Sequence, residues 1–281
     1  MDRYINPKKI SVGYNHSLLL SADNTCYSWG SNSKCQLGHG HTKHVSKLLE
    51  VGGLPQGSIA NIQACGDHNL ALTEDGDAYY WPFKKKEEDQ QNDEQRSQRS
   101  QSQSQLSRTS NESNKSCPYL MNPVKLPIPN NISIKKASCG LDFTILMAGN
   151  GFIFSFGENG NGQLGQGNTK PYALPTQIME MKENKEKVVD IVCGSSHTIC
   201  LASSGRVYTW GLGASGQLGL DSFGDEVYPE LLDENFMGKT KTKVTQIAAG
   251  KECSLALLES GKIFWWGTSN TIKREAYPIE C

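Results

Sequence analysis

The 281-residue sequence lacks any run of roughly 18 apolar residues, so it encodes no membrane-spanning helix. An apolar segment behind the initiator is missing as well. Met1-Asp2-Arg3-Tyr4-Ile5-Asn6-Pro7-Lys8-Lys9 is polar, which argues against a signal peptide and for an intracellular protein, cytoplasmic or nuclear. Neither sign of charge dominates: 28 Lys+Arg face 29 Asp+Glu, a net charge of −1. That balance removes the electrostatic ground for broad binding to nucleic acid or an anionic membrane. No Cys-x-x-Cys pair offers the usual zinc spacing. Nine cysteines, an odd number behind no export signal, point to free thiols in a reducing compartment.

What the sequence does hold is one unit written five times. Val12-Gly13-Tyr-Asn-His-Ser-Leu, Cys65-Gly66-Asp-His-Asn-Leu, Cys139-Gly140-Leu-Asp-Phe-Thr-Ile, Cys193-Gly194-Ser-Ser-His-Thr-Ile and Ala249-Gly250-Lys-Glu-Cys-Ser-Leu are its openings. An aromatic follows the glycine by 16 positions in four copies (Trp29, Phe156, Trp210, Trp266). In the second copy Trp81 comes 15 after Gly66, which reads as a one-residue deletion near Asp67-His68. Three copies then carry Gln-Leu-Gly, at Gln36, Gln163 and Gln217. The expected repeats lie near 10–53, 62–83 with 117–130, 136–181, 189–235 and 246–281.

Between glycine and aromatic the pattern is a hairpin. Short apolar runs flank Asn24, Gly76, Gly151, Gly205 or Gly261, each five residues before the aromatic. Glycine reaches φ > 0 freely and Asn is among its best substitutes, so all five positions predict one left-handed turn residue. A further strand surrounds Val45, Pro123, Pro175, Pro229 and Pro278, proline being suited to a strand's edge or start. Units of about 50 residues with about four short strands predict an all-β chain of propeller blades. The charged stretch 180–187 predicts one or two helical turns at most. The segment 84–116 has almost nothing apolar and predicts a disordered polar insertion, read as a surface loop, a phospho-regulated tail or, at Lys84-Lys85-Lys86, a basic targeting signal.

The order [ACV]-Gly-x-x-His-[ST]-x-x-Leu, a glycine turn, Val-Tyr-Thr-Trp-Gly and Gly-Gln-Leu-Gly resembles the regulator of chromosome condensation repeat, most closely over 193–220. The resemblance implies a β-propeller. That family usually has seven blades and this sequence supplies five. The phase of the two ends suits a shared blade, so a closed five-bladed ring is expected. The chain lacks the Gly-Trp-Arg-His-Thr repeats of the family's plant UV-B photoreceptor, which excludes that chemistry.

Several motifs tempt a chemical reading and fail on context. Gly160–Gly165 and Gly211–Gly216 match G-x-G-x-x-G, but no helix follows to receive a pyrophosphate, so they are turns. Cys65, Cys139 and Cys193 precede a glycine where Val12 and Ala249 stand elsewhere, which predicts packing. Cys26, Cys35, Cys117, Cys200, Cys253 and Cys281 share no ligand spacing. His39, His41 and His44 lie together without a thiol or carboxylate, a polar loop rather than a metal site. His16, His68 and His197 fill one slot that Phe143 and Cys253 fill elsewhere. A satisfied, half-buried imidazole is expected there, without a nucleophile to activate. The aromatic anchors predict inter-blade packing. No catalytic, cofactor or metal residue is expected.

The variable positions follow the anchor glycines: Tyr14-Asn15, Asp67, Leu141-Asp142, Ser195-Ser196 and Lys251-Glu252. In a propeller these loops gather on one face, bringing the acidic Asp67, Asp142 and Glu252 together. The resemblance implies a protein partner there, since acidic and polar loops of the founding member engage the small GTPase Ran. Asp67, Asp142, Ser195, Ser196, Lys251 and Glu252 are therefore the candidate partner-binding residues of a non-enzymatic interaction scaffold. Guanine-nucleotide exchange on a Ran-like GTPase is the alternative. Chromatin binding is disfavoured by the absence of a basic tail.

Overall fold

Each repeat folds into a four-stranded antiparallel sheet, one propeller blade, giving five among the described residues. The computed structural model describes residues 4–84, 119–129, 132–183, 186–233, 235, 242–269 and 272–281. Blade 1 comprises Pro7–Val12, His16–Ser21, Cys26–Gly30 and Val45–Glu50. Blade 2 comprises Ile59–Cys65, His68–Thr73, Ala78–Trp81 and Val124–Lys125. Blade 3 follows with Ile134–Cys139, Phe143–Ala148, Ile153–Gly157 and Tyr172–Gln177. Blade 4 takes Val188–Cys193, His197–Ala202, Val207–Gly211 and Glu226–Leu231. Blade 5 ends the series with Val244–Ala249, Cys253–Leu258, Ile263–Ser269 and Ile272–Glu280. Phe83–Lys84 pairs with Tyr119–Leu120, and most of the polar insertion, residues 85–118, lies outside the described residues. The predicted helical turn is Met179–Glu183, held by buried Met181.

The hairpin residues adopt the expected conformation, with φ of +61° at Asn24 and +91°, +87°, +90° and +86° at Gly76, Gly151, Gly205 and Gly261. The turn demands a left-handed residue, so the one non-glycine among the five is asparagine. A second feature has no sequence signature. In blades 1, 3, 4 and 5 the pairing of the first two strands shifts near its start, at Pro7/Lys9, Ile134/Lys136, Val188/Asp190 and Val244/Gln246. Such bulges add twist to the strand.

The chain divides into two compact units, residues 1–69 with 79–124 and residues 70–78 with 125–281. In the second unit the core lies between consecutive blades. Ile145, Leu164 and Met181 pack with Ile191, Cys200 and Trp210. Ile199, Leu201 and Leu232 pack with Val244, Ile247 and Trp266. Each such side chain contributes about 1.5–3 kcal/mol when buried. A blade has no interior of its own, so it acquires a core only by stacking on the next.

Blade 2 corrects the sequence reading. Ile59 and Ile62 are buried six and three residues before Cys65, as Val188 and Ile191 are before Gly194. Gly76 and Trp81 follow Cys65 by 11 and 16, the spacing of every other copy. Tyr14 N–H bonds to the Gly66 carbonyl at 2.8 Å, just as Leu141 N–H bonds to that of Ser195 at 3.0 Å, so Gly66 matches Ser195. No residue is deleted. Cys65 stands in the anchor-glycine position, and it shares no slot with Cys139 and Cys193.

Candidate functional site

The anchor glycine is needed for space. A Cβ on Gly13 would lie 2.3 Å from His16 Cε1, on Gly140 1.9 Å from Phe143 Cε1, and on Gly194 2.0 Å from His197 Cε1. The ring three residues on folds back over the glycine, and the loop between them turns tightly. The glycine after the aromatic is crowded by the same loop: a Cβ on Gly30, at φ +116°, would sit 2.6 Å from the Asn15 carbonyl oxygen. These two contacts hold the post-anchor loop in one shape.

Backbone hydrogen bonds pin it further. The second loop residue accepts from the residue beyond the Trp-Gly or Phe-Gly pair: Ser31 N–H to Asn15, Glu158 to Asp142, Leu212 to Ser196 and Thr268 to Glu252, at 2.8–2.9 Å. The first loop residue links blades. In the second unit Leu141 N–H donates to Ser195 O at 3.0 Å and Ser195 N–H to Lys251 O at 3.1 Å. These main-chain bonds tie the loops to the frame, and the side chains vary at its surface.

Beneath the loops a buried network repeats. In the second unit Trp266 Nε1–H and Ser254 Oγ–H both donate to the Gln217 carbonyl, at 2.9 and 2.8 Å. Ser254 has thus used its hydrogen, so its oxygen accepts from His197 Nε2–H at 2.9 Å. In the first unit His16 Nε2–H meets Asn69 Oδ1 at 2.6 Å, Asn69 Nδ2 donates to the Gln36 carbonyl at 2.7 Å, and Trp81 Nε1 donates there at 3.1 Å. The Gln-Leu-Gly motif is now explained. The Gln carbonyl receives the next blade's tryptophan, and the Gln side-chain oxygen accepts the N–H two residues earlier, as Gln217 does from Ser215 at 2.8 Å. The leucine is buried, and a Cβ on Gly165 would strike Trp210 at 2.8 Å. Gly160–Gly165 and Gly211–Gly216 are turns serving this contact.

The histidine slot differs from expectation. His16, His68 and His197 are fully buried rather than half-buried, and Nδ1 of His16 and His197 has no hydrogen-bond partner. Burial holds His197 down at about 4, against a smaller opposing pull from Glu252. It also lowers His16, opposed by the Asn69 bond. Next to Cys65, His68 Nε2 is left without a partner, unlike its counterparts.

The candidate contact residues occupy equivalent loop positions. Asp142 and Lys251 are exposed, Ser195 and Ser196 half-buried. Glu252 accepts from Ser215 Oγ at 3.2 Å and pairs with Lys251 at 3.2 Å. Asp67, in the first unit, pairs with Lys34 at 2.6 Å. Two of the three acids therefore carry a local cation, and the loops present mixed charge. The sequence reading missed the residues that shape the next loop. Asn32 Oδ1 accepts Leu37 N–H at 2.9 Å while its amide donates to His41 and Lys43 carbonyls at 2.6 and 3.1 Å. Asn159 repeats this with Leu164, Asn168 and Lys170 at 2.8–2.9 Å. Both stand four residues before the Gln of Gln-Leu-Gly, a signal the sequence carries. His44 Nδ1 accepts Asn32 N–H at 3.1 Å and His39 Nε2 bonds to Ser28 at 2.8 Å, so these imidazoles brace their own loop.

The profile described as the regulator of chromosome condensation (RCC1) repeat matches residues 23–72, 150–201 and 204–257. A second profile of the same description matches 8–36 and 188–217. A protein RCC2 homolog of Danio rerio is 32% identical over 288 residues, covering 94% of this chain and 53% of that protein. The chain spans about half the length of the curated relatives it matches. Human WBSCR16 superposes with a TM-score of 0.75 at 21% identity, over 100% of this chain and 68% of that one. Prp20p of Saccharomyces cerevisiae gives 0.69 at 19% identity, over 97% and 64%. At these identities the two structures speak for the fold alone.

Proposed function

The chain belongs to the regulator of chromosome condensation repeat family, and from that premise we propose that it is a non-enzymatic scaffold displaying its post-anchor loops to a protein partner. One observation carries this reading: main-chain hydrogen bonds pin the loops to the frame, while the pair of residues at the tip differs from blade to blade. Fixed geometry with variable chemistry suits recognition, because little ordering entropy is lost on binding. Asp67, Asp142, Ser195, Ser196, Lys251 and Glu252 are the contact residues in this reading. Residues 1–281 act as a single array, with 84–116 as a polar insertion.

A small GTPase is the partner class to test first, since the Prp20p structure was described with that protein's binding properties to Gsp1p and histones. The near-neutral charge of this chain speaks against nucleic acid. A reducing compartment, cytoplasmic or nuclear, fits this reading, because the eight described cysteines form no disulfide with one another. No helix among the described residues is long and apolar enough to cross a membrane.

The test uses purified Ran and two readouts. Binding of Ran to the immobilised chain should weaken at least tenfold on combining Asp142→Ala with Lys251→Ala, with no change in thermal midpoint. Nucleotide release from Ran should proceed at its intrinsic rate. Acceleration of release that Asp142→Ala abolishes would replace the scaffold reading with guanine-nucleotide exchange.

A further inference from the structure

Every blade-to-blade interface inside a unit joins the same two faces. One is the leading face, formed by the residues 3, 5 and 13 positions after the anchor and by the leucine of Gln-Leu-Gly. The other is the following face, formed by residues 6 and 3 before the anchor and 6 and 16 after it. In the second unit Phe143, Ile145, Ile153 and Leu164 of blade 3 meet Val188, Ile191, Cys200 and Trp210 of blade 4. Blade 4 meets blade 5 by the same rule. In the first unit the His16–Asn69 and Trp81–Gln36 bonds mark the same contact.

Two faces depart from that rule, one of each kind. Three residues before the anchor, Ile62, Ile191 and Ile247 are 1%, 0% and 7% exposed, whereas Ile10 of blade 1 is 59% exposed. Six before it, Ile59, Ile134, Val188 and Val244 are buried, whereas Pro7 is exposed. Trp29 is half-exposed, while its counterparts Trp81, Trp210 and Trp266 are 0% exposed. On the leading side, 13 residues after the anchor, Cys26, Ile153 and Val207 are 1–3% exposed, whereas Ile263 of blade 5 is 43% exposed. Leu255 and Leu257 are likewise half-exposed where Ile199 and Leu201 of blade 4 are buried. Blade 1 thus shows a following face and blade 5 a leading face, each apolar.

We infer that these two faces bind each other between copies of the chain, the leading face of blade 5 on one copy seating against the following face of blade 1 on the next. A second copy is the occupant because it presents the complementary face, in the pairing used at the internal interfaces. The contact is heterologous: two different patches meet, so each copy keeps one patch free for a further copy. Blade 5 has no Gln-Leu-Gly, so Trp29 gains packing there without the glutamine carbonyl that receives Trp81, Trp210 and Trp266. The association is therefore weaker than an internal blade contact, and it responds to concentration.

The experiment is sedimentation of the 281-residue chain across a hundredfold range of concentration. The weight-average mass should rise above the 30.9 kDa of one copy. Ile10→Lys and Ile263→Lys, both at exposed positions that tolerate lysine in the monomer, should each weaken association about tenfold or more. Each places an unpaired charge in an apolar contact. Mixing the two variants supplies one intact pair of faces. The mixture should regain association and stop at two copies, because the other faces of that pair are both blocked. A chain that stays at one copy throughout overturns the inference. So does association that neither lysine weakens, or a mixture that remains monomeric.

Discussion

Replacing Gly194 by alanine tests the packing argument on which the loop frame rests. The added Cβ would lie 2.0 Å from His197 Cε1, 2.3 Å from its Nδ1 and 2.7 Å from the Gly250 carbonyl oxygen. His197 is 0% exposed and cannot retreat without breaking its 2.9 Å bond to Ser254. Overpacking of this kind costs about 1–3 kcal/mol, and loss of a buried hydrogen bond adds about 1–2 kcal/mol. The expected destabilisation is about 3 kcal/mol, read as a lower urea midpoint at unchanged slope. Gly160→Ala is the control, because its Cβ would meet nothing within 4 Å and should change stability by less than about 0.5 kcal/mol. In a His197→Ala background the clash with the ring disappears, so adding Gly194→Ala should then cost about 1 kcal/mol or less. Equal effects of Gly194→Ala and Gly160→Ala, or full additivity with His197→Ala, would refute the steric account. Blade 2 carries a Cβ in this slot. Cys65 occupies it, and His68 lacks the Nε2 bond made by His16 and His197.

The same histidine predicts a pH dependence. The folded pKa of His197, about 4, lies below the unfolded 6.5, so the unfolded chain binds more protons between them. Stability is complete above about pH 6.5 and falls as pH drops toward 4, by about 3 kcal/mol in all for this group. His16, also lowered by burial, adds to the loss in the same direction. Urea midpoints at pH 7.5 and 5 measure it. His197→Gln should shrink the difference, and an unchanged difference would show that the ring does not titrate on unfolding. Thiol labelling checks the cysteine assignment. Cys281 is exposed and should react with iodoacetamide in the folded chain, whereas Cys26, Cys35 and Cys200 are buried and should react only in denaturant. Burial pushes the Cys26 thiol up to about 12 and raises Cys200 as well, so the nucleophilic thiolate is scarce at both. Mass spectrometry of labelled peptides separates the sites, and prompt modification of Cys200 would contradict the packing described.

Much of the fold could be read from spacing because the features concerned are local. A left-handed turn residue is decided by its own backbone, so Asn24 and four glycines announced five hairpins, and a proline near each of four outer strands marked edges. The Gln-Leu-Gly triplet was visible as a motif, but its task was not, since the tryptophan it receives lies about 50 residues away on another blade. Asn32 and Asn159 were legible in principle, standing at one repeat position, yet asparagine in a loop has many uses and only the observed bonds select one.

The amino-acid order by itself determined the period, the strand type and the turn chemistry, because backbone conformation and alternation depend on near neighbours along the chain. The spacing of Gly76 and Trp81 already hinted that Cys65 replaces a glycine, and the Tyr14–Gly66 bond decided it. Tertiary structure alone decided that the slot histidines are buried, His16 and His197 with one nitrogen bonded, and that Ile10 and Ile263 are exposed where their counterparts are covered. Each of those depends on what a neighbouring blade places against the residue, and that neighbour lies too far along the sequence for local pattern to reach.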